Sequence, residues 1–124
     1  MMHPVLQVAL GGAVGAVARH GVNIGAGRLF GPGIPAGTLA VNVAGSFLMG
    51  LLVVVLAGRG NALAPLLMTG ALGGFTTFSA FSLDAVTLWQ RGQGAVALAY
   101  VAASVGLSLA ALLAGLTLGQ KVLA

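Results

Sequence analysis

Apolar residues run along this chain in long blocks, and most polar positions fall in the short gaps between them. A bilayer core about 30 Å thick is crossed by ~20 helical residues, and four of the blocks reach that length. The first runs from about Pro4 to Ile24 and ends in the glycine-rich GAGRLFGPG. A second begins near Pro35 and continues to Gly58, ahead of RGNA. The third opens near Ala64 and Pro65, where proline suits a first helical turn, and extends to about Trp89 before QRGQG. The fourth runs from about Ala95 to Leu118. No gap is long enough to separate domains. The pattern predicts one all-α unit of four transmembrane helices over residues 1–124.

Composition strengthens that prediction. The chain is 59% hydrophobic and 5% charged, with a mean hydropathy of +1.11. A soluble domain carries about a quarter charged residues, so a water-facing surface cannot be built from these. There is no cysteine, which excludes disulfide and thiol chemistry. The net charge of +4 would suggest nucleic acid in a soluble protein. Here Arg19, Arg28, Arg59, Arg91 and Lys121 stand singly, without a basic run, and read as end markers of membrane helices. No nucleic-acid partner is expected. The start MMHPV lacks the cations of a cleaved signal peptide, so none is expected either.

Four spans place both termini and the loop after the second span on one side, with Arg59 and Lys121. Arg28 and Arg91 lie on the other, with Arg19 near that end of the first helix. Lysine and arginine placement sets topology. So balanced a distribution fits either a chain that inserts both ways up or one whose bias is simply small. Gly11/Gly15, Gly21/Gly25 and Gly70/Gly74 each satisfy the small-xxx-small spacing among 21 glycines. That spacing lets helix backbones approach closely, within this chain or against another copy.

The third block is interrupted by GALGGFTTFSAFSLD, which gathers glycines, hydroxyls, aromatics and the sole acidic residue, Asp84. Gly73-Gly74 followed by Thr76-Thr77 is either a glycine packing site or a helix break. A break would free carbonyls and amides, which hydrocarbon does not tolerate unless protein or a water-filled cavity surrounds them. Freed carbonyls can hold a small cation. Phe78 and Phe81 share a helical face, as ordinary core or as ring edges turned toward an anion. Asp84, one turn beyond Phe81, is placed to cap the helix or pair with an arginine. In the second block Asn42 carries an amide that needs partners, either as interhelical glue or along a polar path. In the fourth, Tyr100, Ser104 and Ser108 recur every four residues and form one stripe of hydroxyls. A single serine would instead bond back to its own helix.

No cluster of metal ligands, no nucleophile with a partnered base and no phosphate loop is present, so an enzyme is not expected. The inventory fits an ion pathway lined by donors. Two rivals come from other classes. A proton-coupled exporter needs a titratable carboxylate inside the bundle, for which Asp84 is the only candidate. A non-transporting scaffold would account for the glycines alone.

At this point GGFTTFSAF resembles the third-helix signature of the Fluc (CrcB-type) fluoride channels, usually written GGFTTFSTF. GTLAVNVAGSF resembles their asparagine motif in the second helix, and Arg19 in GAVARH resembles the arginine of their first. The resemblance covers essentially the whole chain. It implies a fluoride-selective channel for passive export, in the plasma membrane of a prokaryote, as an antiparallel dual-topology homodimer with two pores. It also implies a third helix broken at its centre and a structural sodium ion between the subunits. By motif position, the carbonyls of Gly73 and Thr76 would hold that sodium. Asn42, Phe78, Ser79, Phe81, Tyr100, Ser104 and Ser108 would line the fluoride pathway. Ala80 stands where the pattern commonly has threonine, which removes one hydroxyl.

Overall fold

The computed structural model describes residues 2–123. Among the described residues, four helical spans are long and apolar enough to cross a bilayer: Pro4–Phe30, Ala36–Ala57, Pro65–Gln90 and Gly94–Val122. The chain is an all-helical, multi-pass membrane protein.

Helix α1, Pro4–Phe30, starts at His3, whose Nδ1 accepts a hydrogen bond from the Val5 amide at 3.1 Å. It runs to Phe30 rather than stopping near Ile24. Gly21, Gly25 and Gly27 weaken the helix by about 1 kcal/mol each without breaking its hydrogen bonding. It stops at Gly31, which takes φ 81 and is followed by Pro32, a residue with no amide to donate. This extension moves Arg19 to the interior of the span. The cations flanking the spans are then Arg28 and Arg91 at one end, Arg59 and Lys121 at the other.

Helix α2 covers Ala36–Ala57. The third span begins with a π-helical segment, Pro65–Leu72, and continues as α3, Gly73–Phe75. Thr76 (φ −90, ψ 160) and Thr77 (φ −154, ψ 127) are extended, and α4 begins at Phe78 and ends at Gln90. Both glycines before this link keep helical geometry; the two β-branched threonines are the extended residues. Helix α5, Gly94–Leu118, closes with a π-helical turn, Gly119–Leu123.

Glycine contacts determine how the spans pack. A Cβ on Gly11 would strike the Leu66 carbonyl oxygen, and one on Gly15 the Ala71 carbonyl oxygen. Gly70 lies 3.0 Å from the Gly11 Cα by the same measure, so α1 and the start of the third span touch backbone to backbone. Gly50 and Gly115 do the same for α2 and α5, against Leu112 and Phe47. Gly21 and Gly25 have no such neighbour within 4 Å. Their spacing predicted an interface that the described chain does not use.

A small core joins α4 to α5: Phe81, Leu88, Ala97 and Tyr100, with Leu39, Ala85 and Val101 against them. Val41 on α2 is fully buried.

Candidate functional site: a donor-lined groove

One face of α2 carries Asn42, Gly45, Ser46 and Met49, which share a helical stripe at three- and four-residue steps. Together with Thr76, Thr77, Phe78 and Phe81, and with Ser104 and Ser108 of α5, they line a groove of about 410 Å³. Gly45 is small because a Cβ there would meet the Thr76 methyl group. The extended link is thereby drawn against α2.

The Asn42 side-chain amide makes two bonds, both to one residue. Its Nδ2 donates to the Thr77 carbonyl at 2.9 Å, and its Oδ1 accepts from the Thr77 amide at 2.8 Å. This pairing sets the orientation of the side-chain amide and leaves one Nδ2 hydrogen for the groove that Asn42 lines. Thr77 then caps α4: its Oγ1 accepts from the Ala80 amide at 3.1 Å and lies 3.2 Å from Ser79 Oγ. From the other flank, Arg19 Nε of α1 donates to the Gly74 carbonyl at 3.0 Å.

The hydroxyls divide into two kinds. Thr76 Oγ1 and Ser82 Oγ donate back to the carbonyls of Leu72 and Phe78, at 2.9 and 3.0 Å. Such back-bonding is how an isolated hydroxyl satisfies itself in a helix. Ser104 Oγ is buried on the groove and has no hydrogen-bond partner among the described residues. An unsatisfied buried hydroxyl costs about 1–3 kcal/mol, and this one faces the groove.

The aromatic residues also separate. The rings of Phe78 and Phe81 stand 5.4 Å apart at 57°, and those of Phe81 and Tyr100 5.4 Å apart at 43°. Phe81 is 8% exposed, whereas Phe78 is 78% exposed. Only the first is packed by its own chain.

Of the residues singled out from sequence, the groove brings together Asn42, Phe78, Phe81, Ser104 and Ser108, with Thr76 at its edge. Gly73 and Ser79 are exposed and lie outside its lining. Tyr100 continues the stripe of Ser104 and Ser108 but borders a neighbouring apolar groove beside Leu39 and Val43. Its hydroxyl donates to Asp84 Oδ2 at 3.1 Å. Asp84 therefore pairs with a tyrosine rather than an arginine, beside Arg91 in a third, smaller cleft. Sequence reasoning missed Ser46 and Thr77. Ser46 is four residues from Asn42, so helical spacing was enough to find it; the role of Thr77 needs the tertiary contact.

The family model described as CrcB-like protein, Camphor Resistance (CrcB), matches residues 6–116. A protein of Cereibacter sphaeroides named fluoride-specific ion channel FluC is 69% identical over 116 residues, 94% of each chain. One of the same name from Paracoccus denitrificans is 64% identical across 100% of both chains. Another, from Agrobacterium fabrum, is 53% identical over 95% of this chain and 97% of its own. A match that spans all four helices, with relatives 53–69% identical over nearly the whole chain, establishes that this chain belongs to the CrcB-like family.

Proposed function

We propose that this protein is a fluoride-selective channel that lets the anion leave the cell passively across a prokaryotic plasma membrane. The observation that carries the proposal is the groove itself, where the Ser104 hydroxyl has no internal partner and Asn42 keeps one free hydrogen beside aromatic rings. Fluoride is small and strongly hydrated, so a pathway has to replace its water with closely spaced hydrogen-bond donors that do not trap it. The free Nδ2 hydrogen of Asn42 and the hydroxyls of Ser104 and Ser108 are such groups. The ring edges of Phe78 and Phe81 add partial positive charge without a fixed ion. Ser79 and Tyr100 would extend the track toward its two ends. The names of the relatives supply the choice of fluoride over other small anions.

The working unit in this proposal is an antiparallel homodimer with two pores. Phe78 meets Phe81 on one side and is 78% exposed beside the groove, which leaves most of its ring to be covered from outside the chain. The flanking cations, two at each end, fit insertion in both orientations. The extended link in the third span would bring one broken helix from each copy to the dimer centre.

A structural sodium ion belongs to the same proposal. In a continuous helix the amides of Thr77 and Ala80 would bond the carbonyls of Gly73 and Thr76. Here the Thr77 amide goes to Asn42 Oδ1 and the Ala80 amide to Thr77 Oγ1. Both carbonyls are thus released by their helical donors, which fits a hard cation that takes oxygen ligands. When bound, sodium would supply positive charge beside the anion route.

The exporter alternative draws no support from the groove. Its only possible carboxylate, Asp84, hydrogen-bonds Tyr100 and lies outside the groove lining.

The test is efflux from liposomes loaded with fluoride, with the membrane potential clamped and no proton gradient. Fast fluoride release, with chloride retained, is expected. Equal chloride release, or a strict need for a proton gradient, would reject the proposal. Phe81→Ile is expected to slow fluoride efflux about tenfold or more, because it removes the ring that meets both Phe78 and Tyr100. Size-exclusion chromatography should show the oligomer intact.

A further inference from the structure

We infer that Arg19 and Asn42 act as a clamp that sorts the carbonyls of the third span, deciding which are consumed internally and which are offered to a cation. The inference rests on the sodium reading above for the identity of that cation, but not for the clamp.

Two carbonyls around the link are taken by side chains from other helices. The Gly74 carbonyl is taken by Arg19 Nε at 3.0 Å, and the Thr77 carbonyl by Asn42 Nδ2 at 2.9 Å. The carbonyls directly before them, of Gly73 and Thr76, are those whose helical donors are diverted. One side chain comes from α1 and the other from α2, so the extended Thr76-Thr77 link is held from both flanks. Asn42 performs both operations. By accepting from the Thr77 amide it releases Gly73, and by donating to the Thr77 carbonyl it removes that oxygen from competition.

Arg19 suits the first position for a charge reason. It is half-buried inside a membrane span, where a cation is expensive. The sole carboxylate of the chain, Asp84, is hydrogen-bonded to Tyr100. A backbone carbonyl is the partner Arg19 has, and holding it keeps a guanidinium rather than a metal ion on Gly74. Gly74 and Thr77 are thereby withdrawn, and the oxygens of Gly73 and Thr76 are left for a cation. Arg19 and Asn42 are positioning residues in this role, acting through the backbone they hold.

Two measurements on the purified full-length protein in detergent test the clamp. The first is amide hydrogen exchange, read by mass spectrometry over residues 73–80. Asn42→Ala should speed exchange of the Thr77 amide by about tenfold or more, the scale of one lost hydrogen bond, with α5 unchanged. The second is the rise in thermal midpoint on titrating sodium chloride against N-methylglucamine chloride. Arg19→Ala and Asn42→Ala should each raise the half-saturating sodium concentration about tenfold. Arg19→Lys, which can still donate to Gly74, should stay within about twofold of the parent, an outcome that loss of packing alone would not produce.

Half-saturation at the parental value in both alanine variants would overturn the carbonyl sorting. A parent protein indifferent to sodium would remove the sodium reading and the sorting for a cation, leaving the clamp to the exchange result alone. Parental exchange at Thr77 in Asn42→Ala would overturn the clamp in every case. Should Arg19→Ala fail to fold, Asn42→Ala against Arg19→Lys carries the same comparison.

Discussion

Asn42→Asp is expected to lower fluoride efflux on the order of a hundredfold or more, the largest loss from any single isosteric change in this chain. Aspartate matches asparagine in shape, so packing against α4 is undisturbed. The donor to the Thr77 carbonyl, now 2.9 Å away, becomes an oxygen facing an oxygen. The carboxylate also places a negative charge on the groove through which an anion must pass. Two like charges about 4 Å apart repel by about 4 kcal/mol at an effective dielectric of 20. Each 1.4 kcal/mol on a barrier is about tenfold in rate. Liposome flux beside the parent protein measures the loss, and chromatography confirms that the variant still assembles. Efflux within tenfold of the parent would mean that Asn42 does not border the pathway.

Gly15→Ala is expected to destabilise the fold by about 3 kcal/mol or more, whereas Gly21→Ala leaves it within about 1 kcal/mol. The two glycines lie on the same helix, and both occur in small-xxx-small pairs. Only their surroundings differ. A methyl group on Gly15 would strike the Ala71 carbonyl oxygen and stand 2.8 Å from the Phe75 nitrogen. Both are backbone atoms that a rotamer change cannot move. The same strain would reach the link at Thr76, since Phe75 directly precedes it. At Gly21 nothing lies within 4 Å, and the gain in helix propensity is the main effect expected. Thermal unfolding in detergent compares the pair. Equal loss in both variants would show that Gly21 packs as tightly as Gly15, against a surface outside this chain.

Much of this protein was legible along its sequence, for a physical reason. Hydrocarbon penalises every unpaired backbone group and every charge, so span number and type follow from block length and composition alone. The GGFTTFSAF and GTLAVNVAGSF motifs marked Asn42, Phe78 and Phe81 on the groove, whereas Gly73 and Ser79 of the same motifs lie outside its lining. Helical spacing placed Ser104 and Ser108 on one face and would have placed Ser46 beside Asn42.

Other features depend on contacts between distant residues, which local pattern does not encode. The end of α1 was misjudged by the density of glycine, since glycine weakens a helix while Gly31 and Pro32 actually stop it. That shift turned Arg19 from an end marker into an interior side chain bonded to Gly74, 55 positions along the chain. Asn42 and Thr77 are 35 positions apart, and only their meeting shows that the amide holds a backbone as well as lining a groove. Tyr100 and Asp84 pair across α5 and α4, so a stripe that is uniform along one helix divides between neighbouring grooves. Sequence by itself determined the membrane class, the four spans and most of the donor inventory, because these follow from each segment's own exchange with lipid. The tertiary structure decided which glycines touch, which carbonyls are released and which hydroxyl is left without a partner. Those depend on where a second helix lies, and no single segment carries that information.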